Sequence, residues 1–114
     1  MSFKPKIYRK MDSGNTPPRP GDVWEAVELS QIDGVTKRKV PVVILSNESN
    51  SVLVRRCTNE MESRQSVLEL KDPYYAGILN HVFVEQKPQK ILSKNLSRRL
   101  GRLSKLDRGI LIFV

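Results

Sequence analysis

At 114 residues with one cysteine, the chain is a single domain with one modest core and no internal disulfide. No apolar run approaches the roughly 18 residues a membrane span needs, and the N-terminus is polar and basic where a secretory signal is apolar; the reading is a cytoplasmic protein of a reducing compartment. Twenty Lys and Arg face twelve Asp and Glu, a net charge of +8. That favours anionic partners, nucleic acid before membrane lipid, because the basic residues do not lie on an amphipathic helix.

Residues 1–18 are rich in Lys, Arg, Pro and Ser and run into Thr16-Pro17-Pro18-Arg19-Pro20. They read as a basic, flexible arm ahead of a domain spanning 19–114. Gly21-Asp22 turns the chain into a strand, Val23 to Leu29, with imperfect alternation. Ser30 to Arg38 is a polar loop turning at Asp33-Gly34, with a basic exit at Lys37-Arg38-Lys39. The stretch that organises the rest follows. Val40 to Leu45 is apolar without a break, and four of its six residues are β-branched, the pattern of a short strand buried on both faces. Pro41 lacks an N–H and belongs near the start of that strand. Asn47-Glu48-Ser49-Asn50 is a short turn, so Ser51 to Thr58 is the antiparallel neighbour.

Ser66 to Leu70 is a further short strand, and Lys71 to Asn80 a longer connection in which Ala76 to Leu79 reads as a 3₁₀ turn. His81 to Gln86 is a strand, and Pro88 makes Gln89 to Leu92 its edge or bent continuation. Ser93 to Leu96 is a single helical turn, Ser97-Arg98-Arg99 a polar lead, and Leu100 to Leu103 a short strand. Ser104-Lys105-Leu106-Asp107 has capping-box spacing, with Asp in place of Glu. Beyond it the chain reads equally as a short helix or, given Gly109, as extended chain from Ile110 to Val114. Five to seven short strands with one terminal helix make a mostly β, small antiparallel barrel.

The sequence carries no zinc-ligand spacing, no Gly-rich phosphate loop and no Ser-His-Asp arrangement, and calls for no metal or cofactor. The one histidine, His81, stands at a strand start and reads as a packing or surface residue, not a base. Cys57 reads as a small buried side chain. On strand 51–58, Arg56 and Thr58 share one face, and Arg55 and Cys57 the other. An arginine is costly to bury alone. Two in succession therefore place either an anion site or ion pairs with Glu60, Glu62 or Glu69 at the rim of the barrel. The segment from Lys87 to Arg108 holds eight Lys or Arg and one acid. Arg55, Lys87 and Lys90 are the basic candidates for nucleic-acid contact, which the resemblance stated below makes RNA. Readers of single-stranded RNA stack bases on aromatic rings. Trp24, Phe83 and Phe113 read as core, which leaves Tyr74 and Tyr75 either to stack bases or to cap the barrel end.

The order of these pieces resembles the PemK/MazF family of type II toxin–antitoxin toxins. The resemblance runs through Arg19-Pro20-Gly21-Asp22-Val23-Trp24, Val40-Pro41-Val42-Val43-Ile44-Leu45-Ser46-Asn47 and the strand ending in Thr58. It closes with His81 to Gln86, Lys90 to Leu96 and Leu100-Gly101-Arg102-Leu103-Ser104. It implies an SH3-like barrel of the CcdB/MazF type with a C-terminal helix. It also implies a homodimer, a cognate antitoxin whose tail covers the site, and metal-independent cleavage of single-stranded RNA. In that chemistry the RNA 2′-hydroxyl attacks phosphorus and expels the 5′-oxygen, so a group must move protons and another must hold the phosphoryl charge. The resemblance places a Ser or Thr at Thr58 and an arginine directly before the strand-two proline, where this chain has Val40. Arg38, Lys39 and Arg56 are the substitutes within reach; by strand alternation Arg38 is on the required face and Lys39 is not. Three functions follow: an endoribonuclease toxin, a catalytically silent member that binds RNA or a protein tail in the same groove, and an adaptor that binds only protein.

Overall fold

The longest apolar run in the sequence becomes the central strand of the sheet. The computed structural model describes residues 16–30, 32–59, 67–80 and 83–112. The basic arm up to residue 15, His81, Phe113, Glu60 and Glu62 lie outside these. The elements are β1 (Asp22–Leu29), β2 (Lys37–Asn47), β3 (Ser51–Thr58), β4 (Val67–Glu69), β5 (Phe83–Glu85), β6 (Gln89–Leu92), a 3₁₀ turn (Ser93–Asn95), β7 (Leu96–Arg102) and helix α1 (Lys105–Leu111). The protein is therefore a mostly antiparallel β structure with one short C-terminal helix.

The sheet order is β4-β5-β3-β2-β1-β7, with β6 also on β3. All pairs are antiparallel. The outer edge of β3 is shared. β6 takes Ser51 to Val54 and β5 takes Cys57 and Thr58. The chain thus bends between β5 and β6 at Gln86 to Pro88, where the ring of Pro88 cannot supply a ladder donor. β7 lies on β1, at the other side of the sheet. The hydrogen-bonded ladder runs from β4 to β7 and does not close on itself.

β2 is buried on both faces, as its unbroken apolar run demands. Val40, Val42 and Ile44 point to one side with Trp24, Ala26, Val52 and Val54, and Ile91 and Leu96 pack onto that cluster. Val43 points to the other side with Val23, Cys57, Val84, Leu70, Ile78, Leu103 and Leu111. Strand β2 begins at Lys37, earlier than its apolar run, because Lys37, Arg38 and Lys39 pair with Leu29, Glu28 and Val27. Pro41 is therefore inside the strand. The β2–β3 ladder starts only at Val42–Arg56, so Pro41 loses no bond on that side.

Three further expectations change. Ser97 to Arg99 belong to β7, held by pairing with β1 despite their polarity. Ala76 to Leu79 form no 3₁₀ turn; the connection is a set of turns in which the Ala76 and Ile78 N–H groups donate to the Pro73 carbonyl at 3.1 and 3.0 Å. Residues 105–111 are helix. Ser104 caps it, its Oγ accepting from the Asp107 N–H at 3.2 Å. Asp107 does not reach back to close a capping box. Its carboxylate, 1% exposed, accepts from the Lys71 and Asp72 N–H groups at 2.9 Å each. Asp is too short to span the box but long enough to tie the 70–80 segment to the helix. On its other flank that segment meets β7 backbone to backbone. A Cβ on Gly101 would come within 2.6 Å of the Ala76 carbonyl oxygen, and Gly77, at φ +80°, would drive a Cβ into the Leu100 carbonyl. Glycine is required at both positions.

Candidate functional site

β1 carries an acid every third residue, and each draws cations from the strands beside it. Asp22, fully buried, accepts from Arg102 Nη1 at 2.9 Å and pairs with Arg99 and Arg19 at 3.6 Å each. Glu25 pairs with Arg98 at 3.4 Å and Lys39 at 4.0 Å. Glu28 receives Arg38 Nε at 2.9 Å and Arg56 Nη2 at 2.7 Å. Glu85 of β5 takes Arg56 Nη1 at 2.8 Å. Seven cations share these four carboxylates, an excess of three positive charges on one sheet. Such a field favours an anionic ligand.

The end of the sheet that holds Arg38, Arg56 and Thr58 is shaped by a split. Beyond Val42–Arg56, β3 leaves β2 and joins β5, pairing Thr58 with Phe83. Arg56 bridges the gap. Its Nε and Nη2 donate to Glu28 on β1, at 3.1 and 2.7 Å, and its Nη1 to Glu85 on β5. Burial alone would raise the Glu28 pKa, but hydrogen bonds and charge from Arg56 and Arg38 outweigh it and hold the carboxyl below its ordinary value. Burial likewise acts to lower the Arg56 pKa and is outweighed by Glu28 and Glu85, so the guanidinium stays fixed in the charged form.

Arg38 and Arg56 thus meet on Glu28, and Thr58 follows Arg56 on the same face of β3, about 7 Å along the strand. Arg38 is half exposed. Lys39 turns to the other face, toward Glu25, as alternation requires. The partners of Arg56 are Glu28 and Glu85. Of the expected rim acids, Glu69, on β4, is not among the described partners of Arg56, and Glu60 and Glu62 lie outside the described residues. The sequence missed Glu28 and Glu85 because they come from β1 and β5, strands whose registers no local pattern gives. Val40, which stands where the resemblance puts an arginine, is 5% exposed in the apolar cluster with Trp24 and Ala26.

The remaining candidates are dispersed. Arg55 is 7% exposed, and its Nη1 donates to the Gln86 carbonyl, holding the bend between β5 and β6. Lys87 is exposed at that bend. Lys90, on β6, is exposed and pairs with Glu48 at 3.1 Å. Tyr74 and Tyr75 are 80% and 68% exposed and cap nothing; they stand out from the segment that Asp107 anchors. Phe83 is only half-buried, whereas Trp24 is core. Cys57 is buried, and desolvation pushes its thiol pKa up to about 12. Among the described residues no cluster of His, Cys, Asp and Glu could hold a metal ion, and no helix is long and apolar enough to cross a membrane.

No family model matches the chain, and no curated protein is significantly similar to it.

Proposed function

We propose that the protein acts on single-stranded RNA as a toxin of the PemK/MazF type, and that RNA is taken at the Arg38–Arg56–Thr58 end of the sheet. The observation that carries this reading is the meeting of Arg38 and Arg56 on Glu28, on the strand face that bears Thr58. The fold is read as an SH3-like barrel. In support, β6 and β7 pair with opposite sides of the β1–β2–β3 core and are joined by a single 3₁₀ turn. The homodimer, the antitoxin and the cytoplasmic setting belong to the same proposal.

Cleavage in this reading needs no metal. The 2′-hydroxyl loses its proton to water as it attacks phosphorus, the bond to the 5′-oxygen breaks and that oxygen takes a proton from water, and the charge gathering on the phosphoryl oxygens is met by Arg38 and the Thr58 hydroxyl. Arg38 stands in for the missing arginine, because its position two residues before Val40 keeps it on the same face of β2. Both carboxylates near it, Glu28 and Glu85, are bound to Arg56. A positioned acid–base group contributes roughly 10²–10⁴-fold, and the reaction proceeds without that factor. A second reading, a member that holds RNA or a protein tail without cutting, is favoured by two observations. Val40 is buried, and Arg56 is neutralised by two carboxylates.

Incubation of the protein with a long single-stranded RNA in EDTA, beside Thr58→Ala and Arg38→Ala, decides between the two. Discrete fragments that vanish with both substitutions support the endoribonuclease. Intact RNA that nonetheless shifts the protein on a gel supports the silent binder.

A further inference from the structure

The start of β1 gathers more positive charge than its one carboxylate answers. Asp22 opens the strand and is fully buried. Its Oδ1 accepts from Arg102 Nη1 at 2.9 Å, while Arg99 Nε and Arg19 Nη2 stop at 3.6 Å from the same oxygen. Three guanidiniums thus converge on one oxygen atom. Oδ2 is taken by the Arg19 backbone N–H at 3.0 Å. A fourth arginine, Arg108, comes from α1. Its Cδ and the Arg102 Cζ lie 2.8 and 3.6 Å from where a Cβ on Gly21 would stand, so a glycine before Asp22 is what lets both approach. Among the described residues, Asp22 is the one carboxylate that pairs with any of the four.

A regular strand would not assemble this cluster. Arg99 and Arg102 are three residues apart, a spacing that turns strand side chains to opposite faces. A bulge in β7 undoes this. Val23 pairs with Gly101 and Trp24 with Arg99, which leaves Leu100 as the extra residue, and both arginines then reach Asp22. The cluster is open to solvent: the Arg19 side chain is half exposed, and Arg99, Arg102 and Arg108 are partly so. Two of the four are held in place, Arg102 by Asp22 and Arg108 by the Leu103 carbonyl, to which its Nη1 donates at 2.9 Å. Arg19 and Arg99 come to Asp22 without a hydrogen bond.

We propose that this cluster binds a phosphate monoester. Four guanidiniums and one carboxylate leave three positive charges uncompensated, and like charges gathered this closely repel. A phosphate diester brings one negative charge. A monoester brings nearly two at pH 7 and three oxygens, which guanidinium forks hold well. The monoester therefore relieves the repulsion more fully. Asp22 has no exposed surface, so the anion meets guanidiniums and not the carboxylate. A free mononucleotide and the phosphorylated end of a nucleic-acid strand present the same group. The cluster lies at the far end of β1 from Glu28, roughly 20 Å along the strand. The proposal thus stands whether or not the Arg38 end takes RNA.

Calorimetric titration of the full chain with uridine 5′-monophosphate tests it, beside uridine and the diester uridine 3′,5′-cyclic monophosphate. The expected result is saturable binding of the monoester, none of uridine, and about tenfold weaker binding of the diester. Arg19→Gln and Arg99→Gln should each weaken the monoester about tenfold, the effect of one charge-assisted hydrogen bond. Lys94→Gln removes the same charge from an exposed site on the 3₁₀ turn and should change nothing. The Arg19 side chain is half exposed, so its variant keeps the test decisive if Arg99→Gln does not fold. Two short single-stranded RNA oligomers that differ only in a 5′-phosphate identify the source. Tighter binding of the phosphorylated strand assigns the site to strand ends, and equal binding assigns it to the free nucleotide. A wild type that does not bind the monoester overturns the proposal. So does a diester bound as tightly, binding undiminished in Arg19→Gln, or an equal loss in Lys94→Gln.

Discussion

Arg56, a catalytic candidate in the sequence, also ties strands together in the fold. It spans the split between β2 and β5 through three donors to two carboxylates. Removing it leaves Glu28 and Glu85 half-buried with less compensation, so Arg56→Ala should cost about 2–3 kcal/mol of stability, measured by urea denaturation. The same pairing makes stability depend on acid. The Glu28 pKa is lower folded than its ordinary 4.5, so the stabilisation is present above pH 4.5 and is lost as pH falls through the lower folded value. Melting temperature should drop on acidification below that point, and Glu28→Gln should flatten the drop; an unchanged profile would show that the pair does not bear on folding. Cys57 gives the opposite sign. Its folded pKa of about 12 exceeds the ordinary 9.0, so its contribution is whole below pH 9 and is lost as pH rises toward 12. At pH 8 the native thiol should not react with a disulfide reagent and the denatured one should; fast labelling of the folded protein would contradict its burial.

The central apolar run of β2, the short turn before β3 and the Pro88 break were all legible in the sequence, because each depends on residues close together. Strand β3 appears with the bounds that its apolar and turn residues mark out, Ser51–Thr58. What the sequence could not give is set by long-range pairing. Ser97 to Arg99 are polar and become strand only because β1 lies alongside. Asp107 sits in a capping-box pattern, yet its carboxylate serves backbone some thirty-five residues away in the chain. That interaction makes α1 and the 70–80 segment one unit. Asp107→Ala should cost about 3 kcal/mol, since it removes two charge-assisted hydrogen bonds made by a buried carboxylate, and should lower the melting temperature by more than about 10 °C. Loss of protection at the Lys71 and Asp72 amides in hydrogen exchange would locate the effect; a variant as stable as the wild type would mean that the latch contributes nothing.

On the scale of the whole molecule, the charge is organised rather than diffuse. The net +8 was plain from composition, but not that seven cations would gather on four carboxylates of one sheet. Nor was it plain that the two ends of β2 would differ. One end carries Arg38 and Thr58, and the other a hollow lined by Pro17, Pro18, Trp24 and Leu96. The sequence pointed to the first end through the face shared by Arg56 and Thr58. It gave no sign of the second, because the hollow is assembled from the start of the domain, the β2–β3 turn and the 3₁₀ turn. The central claim is that single-stranded RNA meets the Arg38 end. The most direct measurement is the anisotropy of a labelled single-stranded RNA oligomer across a salt series, for the wild type and for Arg38→Ala, whose side chain is half exposed and can be removed without opening the core. The account predicts binding that weakens steeply with salt. In the variant one fewer phosphate is neutralised, and the log–log slope should be shallower by about 0.7. No binding by the wild type at low salt, or a slope that Arg38→Ala leaves unchanged, would contradict it.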